Sequence, residues 1–69
     1  PEVAQVMEDL GELYLATQRP EIALRLLTEA CLILAETVGQ NHPDYAAAVL
    51  QRDRAGERVR QAARPAKNR

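Results

Sequence analysis

The stretch whose reading decides the fold is Glu8–Ala46, EDLGELYLATQRPEIALRLLTEACLILAETVGQNHPDYA. It contains two apolar, periodic segments and two breaks. Gln18-Arg19-Pro20 makes the first break, and the run from Gly39 to Pro43 makes the second. Upstream of the first break, Val3, Val6, Met7, Leu10, Leu13 and Tyr14 recur at the three-four spacing of one helical face. Glu8, Asp9 and Glu12 lie off that face. This predicts a first helix over about residues 2–17, with its apolar face inward. Proline lacks an N–H and fits the first turn of a helix, so a second helix is expected to open at Pro20. From Ile22 to Val38 the chain is apolar around most of its circumference, with a narrow polar stripe of Arg25, Glu29 and Glu36. Leu32 interrupts that stripe. Such a helix needs neighbours on two sides. Gly39 is positioned to end it in a left-handed C-terminal cap.

Past the second break, Asn41 or His42 can cap a third helix that starts at Pro43 and carries Asp44 in its first turn. This helix is expected over about 43–63. Its inner stripe would be Tyr45, Ala48, Val49, Arg52, Gly56, Val59 and Ala63. The expected fold is all-α: an antiparallel helical hairpin plus a third helix. It is organised as a three-helix unit over residues 1–63 and a disordered basic tail over 64–69. Short connections make consecutive helices antiparallel neighbours.

Composition agrees. The chain has 69 residues, no Phe, Trp or Ser, and only two Tyr. Ala, Leu, Glu and Arg dominate, as in helical proteins. A chain this short has a marginal core and leans on a partner, a metal, disulfides or a copy of itself. Cys31 is the only cysteine, which excludes an internal disulfide, and its apolar neighbours make it a small core residue. No run approaches the roughly 20 apolar residues that span a bilayer, so no membrane association is expected. Cysteine usage fits a reducing, cytoplasmic compartment. The chain opens on Pro1 rather than Met, and is expected to be a piece of a longer protein.

Charge is divided along the chain. Residues 1–50 hold eight acids against Arg19 and Arg25, for −6, whereas residues 51–69 hold seven bases against Asp53 and Glu57, for +5. The basic end raises an alternative function, binding of nucleic acid or an acidic partner. It has no aromatic residues for stacking and is interrupted by acids, so nucleic acid is the lesser expectation. Catalysis is not expected. One His and one Cys on either side of a helix end do not make a metal site. No nucleophile–base–orienter set exists, and no glycine-rich phosphate loop is formed by three scattered glycines. His42-Pro43-Asp44 also occurs in J-domain co-chaperones, but there it follows a basic helix. Here the preceding helix is acidic and apolar.

A self-comparison at an offset of 42 residues pairs Val3-Ala4 with Tyr45-Ala46, then fails where Leu10 meets Arg52. The quoted stretch resembles a tetratricopeptide repeat, and within that family the 42-residue variety of kinesin light chains. The residues that carry the resemblance are Leu10, Gly11 and Tyr14, then Ala23, Leu27 and Ala30, then Gly39, His42 and Pro43. Gln18 and Pro20 stand where the family usually has glycine and a nearby aromatic. The third helix reads as a degenerate first helix of a next repeat, or as a terminal cap. The resemblance implies a non-catalytic scaffold for protein–protein interaction, with no cofactor. It also implies a peptide groove lined by Gln5, Glu8, Asp9 and Glu12 on the first helix and by Ala47, Leu50, Gln51 and Arg54 on the third. An acidic groove favours a basic peptide. The broad apolar surface of the second helix leads to an expectation of self-association or helix exchange between copies.

Overall fold

The computed structural model describes residues 2–63. The tail expected over 64–69 lies outside the described residues. Three helices follow one another: α1 (Glu2–Ala16), α2 (Pro20–Thr37) and α3 (Pro43–Ala63). α1 and α2 each end one residue earlier than their periodicity predicts.

Both joints are built from local chemistry. At the end of α1, Gln18 takes a left-handed backbone conformation with φ of 63°. Its N–H donates to Leu15 O (3.1 Å) and the Arg19 N–H to Tyr14 O (2.7 Å). That pair of bonds is a Schellman closure, normally made with glycine at the left-handed position. Pro20 opens α2 at once, without a side-chain cap from Arg19. At the second joint Gly39 has φ of 91° and donates to Leu34 O (2.9 Å). His42 is the cap of α3. Its carbonyl accepts from Tyr45 (3.0 Å), and its Nδ1 accepts from the Asp44 N–H (3.0 Å). An accepting Nδ1 places the ring proton on Nε2. The hydroxyls of Thr17 and Thr37 donate to carbonyls one turn back, Leu13 O and Ile33 O, and so find partners within their own helix ends.

α2 lies between the other two helices and packs along both, while α1 and α3 touch only narrowly. One cluster joins Ala4, Ala30, Cys31, Leu34 and Ala48, and another joins Ala23, Leu27 and Ala55. The N-terminal half of α1 thus meets the C-terminal half of α2, as in an antiparallel hairpin. Small residues dominate both clusters, so the helix axes approach closely. Gly11 marks the tightest point: a Cβ there would lie 2.8 Å from Leu27 Cγ. Leu27 is the largest fully buried side chain.

Close approach corrects the expected inner face of α1. Val3, Val6 and Leu13 are more than half exposed, and Leu10 is 39% exposed. The face turned to α2 keeps Met7 and Tyr14 of the expected set, but its buried positions are Ala4 and Gly11, with Leu15 beside them. Successive residues are about 100° apart around a helix, so Ala4 and Gly11 face inward while Val3 and Leu10 are swung outward. A neighbour as apolar and tightly apposed as α2 accepts small residues at the contact. Leu10 therefore does not fill the hairpin. On α3 the inner stripe includes Ala55, which is fully buried. Ala63 is exposed. α3 is three residues longer than α2, and Arg60 to Ala63 are all exposed, so its last turn adds nothing to the core. The exposed apolar surface consequently sits on α1 more than on α2.

Candidate functional site

The polar residues of α1 fall on one side by their spacing: Glu2, Gln5, Asp9 and Glu12 recur at three-four-three. Gln5, Asp9 and Glu12 are exposed, and Glu8 is half-buried. Gln5 Nε2 donates to Asp9 Oδ1 (3.1 Å), which fixes one turn of this face. On α3, Ala47, Leu50 and Arg54 are exposed and Gln51 is half-buried.

The two sets meet at two places. Gln51 Nε2 donates to Glu12 Oε2 at 2.7 Å, a direct bond between α1 and α3. Gln51 Oε1 is buried and has no hydrogen-bond partner among the described residues. Nearer the start of both helices, Gln5, Glu8 and Ala47 line an open cleft with Glu2, Ala4 and Asp44, floored by Leu34. Arg54 is not brought into this cleft. It lies further along α3, with Leu15, Glu57, Arg58 and Gln61.

Sequence reading missed Glu2 and Asp44 as lining residues. A signal existed, because Asp44, Ala47 and Gln51 are spaced three and four apart and so share a face of α3. The cleft is acidic. Burial, with the carboxylates of Asp44, Asp9 and Glu12 nearby, pushes the Glu8 carboxyl up. Among the described residues no group of three His, Cys, Asp or Glu is arranged to hold a metal. Cys31 is 3% exposed, and burial pushes its thiol up. The His42 ring is occupied in the cap of α3, with Asp44 Oδ2 at 3.8 Å from Nδ1. The arginines of α3 are interleaved with acids: Arg60 pairs with Glu57, and Arg52 lies 3.6 Å from Asp53. Among the described residues no helix is long and apolar enough to cross a membrane.

A helical hairpin closed on small residues, followed by a third helix after 42 residues, is the geometry of a helical repeat. The sequence profile described as Tetratricopeptide repeat matches residues 3–44. The chain belongs to the tetratricopeptide repeat family. The matched span is 42 residues long, the length of the kinesin-light-chain-like variety. No curated protein and no solved structure matches the chain. Within the repeat, Gly11, Ala23, Leu27 and Ala30 form the α1–α2 contact, and Gly39, His42 and Pro43 form the joint to α3. Tetratricopeptide repeats generally act as non-catalytic modules that bind other proteins.

Proposed function

We propose that the side of the repeat shared by α1 and α3 is a groove for a basic, extended peptide. Its wall on α1 is Gln5, Glu8, Asp9 and Glu12. Its wall on α3 is Ala47, Leu50 and Gln51, with Arg54 at the far end. The observation that carries this reading is electrostatic. α1 contains four acids and no lysine or arginine, and two of them, Glu2 and Glu8, line one cleft with Asp44. Such a surface raises the local concentration of cationic partners and rejects anionic ones. The Glu12–Gln51 bond supports it further, because it holds the two walls at a fixed spacing. Leu50, 55% exposed, offers an apolar contact beside the charges.

A fluorescent oligoarginine peptide tests the proposal by anisotropy. Changing Glu8, Asp9 and Glu12 together to alanine is expected to weaken binding about tenfold or more. Unchanged affinity in that triple variant refutes the groove. The same titration with duplex DNA examines the nucleic-acid alternative. That alternative requires measurable affinity that falls steeply as salt rises.

A further inference from the structure

The face of α3 that borders the acidic cleft continues well beyond it. Asp44, Ala47, Gln51, Arg54, Arg58 and Gln61 recur at three, four, three, four and three, so one stripe runs along most of the helix. α1 and α3 each run antiparallel to α2, and therefore parallel to each other. Their first turns meet at the cleft that contains Glu2, Glu8 and Asp44. Further along, Leu15 in the last turn of α1 shares a second cleft with Arg54, Arg58 and Gln61. The Glu12–Gln51 bond joins the two helices between these clefts.

Charge changes sign from one cleft to the other. The first is lined by three carboxylates and, among the described residues, by no base. The second is lined by two arginines and one acid, Glu57, whose carboxylate is paired with Arg60. Among the described residues Arg54 and Arg58 form no ion pair, and both are exposed. This polarity is compatible with the helices themselves, because carboxylates near an N-terminus and guanidinium groups toward a C-terminus complement the helix dipole.

Taking the side between α1 and α3 as a peptide groove, we infer that it selects a bipolar peptide, with lysine or arginine at one end and aspartate or glutamate at the other. Helix geometry sets the separation. Arg54 and Arg58 lie ten and fourteen residues past Asp44, which is about 15–21 Å along the axis. An extended chain advances about 3.3 Å per residue, so the two charged ends are about five or six residues apart. A uniformly basic peptide matches the first cleft but brings its far end against two guanidinium groups. A uniformly acidic one already fails at the first. A second copy turned end for end would match the charges, but it would bridge the recess between α1 and α3 rather than enter it.

Anisotropy on the whole chain tests this with labelled peptides whose ends are blocked, so that only side chains carry charge. Each starts with two arginines and a neutral spacer of about five residues. One finishes in two glutamates and its match in two glutamines. The glutamate peptide is expected to bind about fivefold more tightly, with a gain that shrinks as salt rises. Removing the spacer should abolish the gain. Arg54→Gln/Arg58→Gln, checked for helicity by circular dichroism, is expected to erase it while leaving the glutamine peptide's affinity unchanged. Arg54→Glu/Arg58→Glu is expected to reverse the preference. Equal affinity of the wild-type chain for the two peptides overturns the bipolar ligand but leaves the groove standing, provided that changing Glu8, Asp9 and Glu12 to alanine weakens both. Indifference of both peptides to that triple change refutes the groove, and the bipolar ligand with it. A gain that survives Arg54→Gln/Arg58→Gln assigns the acidic end to other bases and also overturns the inference. A dimer in sedimentation equilibrium that Arg54→Glu/Arg58→Glu turns monomeric, with no peptide bound, replaces the peptide by a second copy.

Discussion

Gly11 and Leu27 illustrate how one contact sets the distance between two helices. Leu27 is fully buried, and it fills the space that a side chain at position 11 would need. Gly11→Ala is expected to destabilise the chain by about 1–3 kcal/mol through overpacking, despite the better helix propensity of alanine. Leu27→Ala leaves a cavity and is expected to cost about 2–5 kcal/mol. In the double variant the alanine methyl has room, so Gly11→Ala should cost less there than alone. A double-mutant cycle by chemical denaturation measures that coupling, and additive effects would show that the two residues do not constrain each other. Glycine, alanine and leucine at these positions were legible from the repeat pattern. Which side of α1 they occupied was not, because a helix with aliphatic residues on two flanks has no single apolar face. Val3 and Leu10 match the periodicity of a core as well as Ala4 and Gly11 match the needs of a close contact.

The helices depend on their ends. Gln18 holds a left-handed conformation that costs an L-residue about 1–2 kcal/mol. Gln18→Gly is expected to raise stability by about 0.5–1 kcal/mol, read as an increase in thermal midpoint. At the other joint, His42→Ala removes the acceptor for the Asp44 N–H and is expected to cost about 1 kcal/mol, whereas His42→Asn, which can accept the same bond, should be nearly neutral. Equal losses in the two His42 variants would show that the imidazole does not act as a cap. Proline at the start of α2 and α3 and glycine at the end of α2 announced these boundaries in the sequence. The choice between Asn41 and His42 needed coordinates, since both side chains can accept a bond and only position relative to the Asp44 N–H separates them. The left-handed Gln18 was equally hidden, because glutamine carries no conformational signature.

Across the whole molecule, α1 and α3 meet only narrowly, with one bond between Glu12 and Gln51, and Glu8 lines the cleft where they converge. Its raised pKa means that the folded chain binds this proton more tightly than the unfolded chain does. Ionised Glu8 therefore opposes folding at neutral pH, and stability is regained as pH falls through the raised value. Glu8→Gln is expected to raise the thermal midpoint at neutral pH. It should also flatten the gain in stability on acidification toward the ordinary carboxylate value of about 4.3. An unchanged pH profile in this variant would remove Glu8 as the cause. The molecule has three kinds of surface on α1: a small-residue face against α2, an acidic face beside α3, and an apolar face bordered by acids. The sequence by itself determined the helices, their order, the breaks between them and the family, because periodicity, proline and glycine act locally. It also determined the acidity of α1, which is a matter of composition. The tertiary structure alone decided which side of α1 faces inward. That choice depends on how closely two helices can approach, and approach distance is set jointly by residues far apart in the chain, here Gly11 and Leu27. For the same reason only the fold could show that Glu12 reaches Gln51, that Asp44 joins the cleft, and that Val3, Val6, Leu10 and Leu13 are left outside.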